Sequence, residues 1–160
     1  MPPKSFIDLE SLDTEKLLAD RAAVYKVCPH RHEFQMLDGI LMLDRREGLI
    51  AAVKNIRPDE FWIRGHIPGR PIFPGVLMIE SAAHMVSYYV GTDPSMQNRQ
   101  GFMGFGGVTD VKFRGAVAVG DQIIMLGRII EMRTRRIVGS TQAFVRGQMV
   151  YEGVVTGMWV

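Results

Sequence analysis

His66 and Glu80 stand fourteen positions apart, on either side of a loop with three prolines and three glycines between Gly65 and Gly75. Histidine exchanges a proton near neutral pH. A carboxylate among apolar neighbours costs free energy unless it is paired, hydrogen-bonded or protonated. The two are materials for acid–base chemistry. Glu80 follows Val76-Leu77-Met78-Ile79, a stretch apolar on every side, so its helix belongs inside the protein. The polar exceptions Glu80, His84 and Ser87 recur at i, i+4 and i+7, which places them on one face.

The elements that must hold these groups are legible from turn and cap residues. Pro74 suits the first turn of a helix, and Phe73, preceding a proline, is pushed toward extended geometry. Gly91 and Pro94 supply a stop. The helix should therefore run for about 17 residues, roughly 25 Å. Upstream, residues 8–23 read as an amphipathic helix turning Leu9, Leu12, Leu17 and Leu18 inward. Strand signals cover 36–43, 48–56 and 60–65 before the central helix, then 101–113, 121–132, 137–146 and 148–159 after it. Several antiparallel strands with one dominant apolar helix make an α+β fold, simplest as a curved sheet wrapped around that helix. The edge such a sheet leaves is usually managed by pairing, so a homodimer is expected.

Composition narrows the class. The 160 residues are 47% apolar and 22% charged, with a net charge of +2. That is ordinary for one globular domain and well short of a nucleic-acid signature. The one cysteine, Cys28, excludes an intrachain disulfide and points to a reducing, cytoplasmic setting, with the thiol read as a small buried hydrophobe. The first residues lack a signal-peptide pattern, and no run approaches the ~18 apolar residues of a membrane span. His30, His32 and His84 lack a convincing metal spacing.

The run His66-Ile67-Pro68-Gly69-Arg70-Pro71-Ile72-Phe73-Pro74-Gly75-Val76-Leu77-Met78-Ile79-Glu80 resembles the signature of the beta-hydroxyacyl-acyl-carrier-protein dehydratases of bacterial fatty-acid synthesis. The likeness extends to Cys28-Pro29-His30-Arg31, Met36-Leu37-Asp38 and Ala52-Val53-Lys54-Asn55, and downstream to Val111-Lys112-Phe113-Arg114 and Gly120-Asp121-Gln122. It implies a hotdog fold over residues 27–160, with residues 1–26 a helical extension. It also implies that the chain acts on a 3-hydroxyacyl chain carried by acyl carrier protein. By this resemblance the catalytic pair is His66 and Glu80, and the Gly75 N–H grips the substrate carbonyl. Glutamate rather than aspartate at position 80 favours the dehydratase-only branch.

In those roles His66 removes the α-proton, the Gly75 amide stabilises the enolate-like oxygen, and Glu80, kept protonated by burial, protonates the departing hydroxyl. Phe73, Val76 and His84 are the remaining candidate substrate-binding residues. The resemblance further implies that each site draws His66 and Glu80 from different subunits of a dimer, with a trimer of dimers also possible. No cofactor or metal is called for.

Two positions depart from the family pattern: Ile67 stands where phenylalanine is usual, and His84 where glutamine is usual. A protonated His84 would favour ionised Glu80; a neutral one would take over the glutamine's hydrogen bond. Phe102 and Phe105 are candidates for an acyl-tunnel wall. Arg64, Arg99, Lys112 and Arg114 could help dock an acidic carrier. A hotdog CoA hydratase, a thioesterase and a non-catalytic acyl-binding relative remain alternatives.

Overall fold

The computed structural model describes residues 1 and 3–160. Seven strands form one antiparallel sheet: β1 (Ala19–Asp20), β2 (Gly39–Asp44), β3 (Leu49–Asn55), β4 (Met103–Phe113), β5 (Gln122–Met132), β6 (Arg136–Val145) and β7 (Gln148–Trp159). Their order across the sheet is β1-β2-β3-β5-β6-β7-β4. A short helix, α1 (Arg21–Val27), follows β1, and the long helix α2 (Gly75–Gly91) lies against the sheet. This is the hotdog arrangement.

Helix α2 is the expected element: 17 residues, with Pro74 as its N-cap and Thr92 as its C-cap. Its buried stripe, Met78, Ala82, Met85, Val86 and Tyr89, packs on Ile50, Ala52, Ile123, Met125, Ile137 and Val155 of the sheet. Close approach depends on a missing side chain. A Cβ on Gly127 would stand 2.9 Å from Ile50 Cγ2 and 3.0 Å from Met85 Cε.

The N-terminal region corrects the expected helix over 8–23. Residues Leu9–Ser11 form a single 3-10 turn, Ala19–Asp20 pair with β2, and regular helix begins only at Arg21. Asp20 caps that helix by accepting from the Ala23 amide at 2.8 Å. Leu9 and Leu12 do face the body, but Leu17 and Leu18 are exposed.

Alternation along the strands explains the difference. It leaves a second apolar face on the outside of the sheet, with Ala51, Leu126, Phe144 and Met149. The N-terminal segment crosses that face as a strap, burying Ile7 with Phe6, Leu9 and Leu12 beside it. Gln142 on β6 fixes the strap, accepting from the Phe6 amide and donating to the Lys4 carbonyl, both at 3.0 Å.

Residues 60–65, expected as a strand, form consecutive turns. Trp62 is buried there, edge-on to Phe73, and its indole N–H donates to Glu60. An apolar run thus serves as an anchor for the loop rather than as a strand.

Asp38 ties the helical start to the sheet, accepting from Arg21, Arg57 and the Asn55 amide. Burial pushes its carboxyl up, but the Asn55 hydrogen bond and the two guanidinium groups outweigh this and hold it below the usual range. A depressed native pKa contributes stability that is present above the unfolded value, near 3.9, and lost as pH falls through the native one. Asp38→Asn should therefore cost about 2 kcal/mol at pH 7. Its deficit relative to the parent should shrink below about pH 4; urea unfolding across that range is the check.

Candidate active site

Glu80 and His84 lie one turn apart on α2 and face a small cleft between that helix, β4 and β7. The walls include Met103, Gly104 and Phe105 from β4, and Val155, Thr156 and Gly157 from β7. Phe105 is thus a wall residue, whereas Phe102 stands exposed at the start of the strand and is absent from this lining.

The carboxylate sits in a chain of polar contacts. His84 Nε2 is 3.0 Å from Glu80 Oε1, and His84 Nδ1 is 2.9 Å from the Tyr25 hydroxyl. That hydroxyl accepts the Leu37 amide at 2.9 Å. His30 stacks on His84 with ring centroids 3.8 Å apart, and its Nε2 is 3.8 Å from Glu80 Oε1.

These contacts overturn one expectation about Glu80. The His84 hydrogen bond draws its carboxyl below the ordinary range, against the upward push of desolvation. Glu80 is therefore ionised in the resting chain rather than kept protonated by burial. For His30, burial and then His84 push the imidazole down while Glu80 pulls it up. Cys28 is 1% exposed and its thiol is pushed up to about 12 by burial, which makes it an inert core residue.

His30, Glu80 and His84 offer potential ligand atoms within 4.8 Å of one another. The two imidazoles stack with only 28° between their planes. Their in-plane lone pairs therefore run side by side instead of converging on one point. The trio is better suited to sharing protons than to holding an ion.

His66 belongs to a different wall. It is half-buried in the loop before α2, where its amide donates to the Trp62 carbonyl. Its Nδ1 is 2.7 Å from the Ile72 carbonyl. A carbonyl only accepts, so Nδ1 carries the proton, and in the neutral ring Nε2 presents a lone pair, as a base requires.

Gly75 opens the helix, where the first amides have no intrahelical partner and the dipole is positive. A Cβ there would stand 2.9 Å from the Phe113 ring, at the far end of β4 from Met103. Val76 is exposed and Phe73 is a core residue, and neither lines the cleft with Glu80. Within one chain, Glu80 and His84 share a cleft, and His66, Gly75 and Val76 lie outside its lining.

Ile67, next to His66, has φ 59°, a left-handed conformation costly for a β-branched residue. Ile67→Gly should raise stability by about 1 kcal/mol while loosening the loop that holds His66. A higher melting temperature with a lower kcat is the expected pair of readings.

Residues 28–154 match the family model of the FabA-like domain. The chain belongs to that family. It is 33% identical over 141 residues to the 3-hydroxyacyl-[acyl-carrier-protein] dehydratase FabZ of Koribacter versatilis, covering 88% of this chain and 89% of the relative. The FabZ of Symbiobacterium thermophilum is 34% identical over 130 residues, covering 81% and 89%. Among solved structures, the dehydratase heterocomplex ApeI:P of Xenorhabdus doucetiae superposes with a TM-score of 0.73 at 13% identity, covering 91% of this chain and 93% of that one. That likeness bears on the fold.

His30, His66, Gly75, Glu80 and His84 all lie inside the FabA-like segment, whereas Tyr25 precedes it. Sequence reasoning missed Tyr25 and set His30 aside. No spacing reveals that a helix ending at Val27 brings either ring against position 84.

Of the cations considered for carrier docking, Lys112 and Arg114 both pair with Glu152, at 3.8 and 3.0 Å. Arg99 donates to the Thr134 carbonyl and lies over the Trp159 ring. Arg64 is exposed. No helix among the described residues is long and apolar enough to cross a membrane.

Proposed function

We propose that this chain is a 3-hydroxyacyl-acyl-carrier-protein dehydratase, a hydro-lyase that removes water from a 3-hydroxyacyl thioester to give the trans-2-enoyl product. The observation that carries the reading is that the segment matched to the FabA-like family contains both His66, held as a base, and Glu80, set in an apolar-walled cleft.

His66 Nε2 takes the α-proton, and negative charge gathers on the thioester oxygen at the Gly75 amide, where the start of α2 favours it. Glu80 delivers a proton to the 3-hydroxyl, which leaves as water. The resting carboxylate acquires that proton as the acyl chain displaces water from the cleft. Desolvation already opposes the pull of His84, and methylene groups filling the space add to the desolvating side. After transfer the carboxylate is again stabilised by the His84 N–H. His66 returns its proton to solvent and Glu80 regains one, so the cycle closes without a cofactor.

A homodimer completes the site in this reading. Among the described residues β4 pairs only with β7 and forms an edge of the sheet, carrying the exposed Phe105, Val108 and Phe113. Its ends, Met103 near Glu80 and Phe113 near Gly75, are about 33 Å apart at the usual strand rise. Antiparallel pairing of two β4 edges about a two-fold axis sets the Phe113 end of one copy against the Met103 end of the other. His66 and Gly75 of one subunit then approach Glu80 of its partner.

The test is a steady-state assay with 3-hydroxybutyryl and crotonoyl thioesters on acyl carrier protein and on CoA. Turnover favouring the carrier-protein ester is expected. Preference for CoA would make the protein a hydratase, and no turnover by folded protein would overturn the enzymatic reading.

A further inference from the structure

The Tyr25 hydroxyl is a buried junction with one proton to give. It accepts the Leu37 amide at 2.9 Å and lies 2.9 Å from His84 Nδ1. Tyr25 is 4% exposed and His84 1% exposed, so water does not substitute for either contact. The Leu37 N–H can only donate, and that bond uses an oxygen lone pair of the phenol. If Nδ1 also donated, the phenol proton would be left buried without an acceptor, at a cost of about 1–3 kcal/mol. The arrangement that satisfies every group has the phenol donating to Nδ1, which puts the imidazole proton on Nε2, facing Glu80 Oε1 at 3.0 Å.

We propose that Tyr25, which lies outside the segment matched to the FabA-like family, is a positioning residue: its phenol holds His84 in the Nε2–H tautomer, so that the ring always presents a donor to Glu80. The consequence is chemical. The Glu80 carboxylate formed as the proton departs meets an N–H already in place, which makes Glu80 a stronger acid when it acts. The opposite tautomer would turn a lone pair toward that carboxylate and oppose its formation.

The ionised Glu80 accepts from Nε2–H and so favours the same tautomer; that preference lapses once Glu80 carries its proton, whereas the Tyr25 contact persists. The remaining ionisable groups around His84 do not set this choice. Cys28 meets the His84 backbone carbonyl rather than the ring. His30 meets the ring face to face. Arg31 donates to the carbonyls of Cys28 and His30. The β4 and β7 walls of the cleft bring no titratable side chain. Tyr25 is the group in line with Nδ1.

Only the kinetic arm of the test rests on the dehydratase reading; the tautomer is observed without turnover. The protein has four histidines, so nitrogen-15 NMR of histidine-labelled protein is tractable, with His84 assigned by the signals lost in His84→Gln. An unprotonated Nδ1 and a protonated Nε2 are expected near pH 7.5, and an Nδ1–H ring in the parent protein would overturn the proposal outright. In Glu80→Gln, whose amide can accept or donate, the Nε2–H ring should persist; adding Tyr25→Phe should mix the two tautomers, and an unchanged His84 signal in that folded double variant would also overturn the proposal.

In the assay, Tyr25→Phe should lower kcat by about tenfold with KM within about twofold. The loss should not add to that of His84→Gln. Equal, additive losses in both backgrounds, with matching drops in melting temperature, would assign Tyr25 to packing alone. An inactive parent protein that shows the expected tautomer would sink the dehydratase reading and leave this inference standing.

Discussion

His66→Ala is expected to lower kcat by about 10²–10⁴, the range lost when a positioned base is removed. The fold should survive, because the imidazole is half-buried and its side-chain hydrogen bond, to the Ile72 carbonyl, closes a loop rather than a core. Circular dichroism and melting temperature close to the parent, with KM little changed, would place the loss in the chemical step. Partial rescue by added imidazole would confirm that the missing part is a base. Retained turnover would remove His66 from the mechanism and leave the Ile72 contact as a purely structural feature.

Glu80→Gln should be comparably damaging, by about 10²–10³ in kcat, with the fold and substrate binding intact. The amide oxygen still accepts from His84, but the group can no longer supply the proton. The sharper experiment mixes the two inactive proteins after dissociation and reassociation. If each site takes His66 from one subunit and Glu80 from the other, every mixed dimer regains one intact site of two. An equal mixture then recovers about a quarter of parental activity, because half of the dimers are mixed. If both residues served the same chain's site, mixing would restore nothing.

The legible parts of this fold were those where local chemistry and tertiary demand agree. The Pro-Gly loop and the apolar helix beyond it fell where cap rules place them, and β5, β6 and β7 matched their turn signals to within a residue. Periodicity failed where apolar residues answer to two different partners. Over 8–23, Leu9 and Leu12 serve the outer face of the sheet, whereas Leu17 and Leu18 are exposed beside β1. A helical period fits those spacings by coincidence. Residues 60–65 looked like a strand because Trp62 and Phe61 are apolar, yet one is a buried anchor and the other is exposed.

The site was half readable. His66 and Glu80 stand out because histidine and glutamate are unusual in their settings. The charge on Glu80 was not readable, since it depends on how His84 is oriented by a phenol 59 positions away. The departure at position 84 could be named from the chain, but its consequence needed the third dimension.

The strap across the outer face also has a temporal side. The Phe6 amide and the Gln142 side chain that receives it are separated by 136 positions. During synthesis at about 5–20 residues per second, the strap therefore waits roughly 7–27 s for its acceptor to be made. Until then Phe6 and Ile7 have no finished surface to cover, and the nascent chain carries an apolar tail ahead of an incomplete sheet. Closing so long a loop also delays the final docking step, because its ends must meet after the intervening strands have paired. The same strap that seals the mature sheet is thus without its acceptor until β6 has been made.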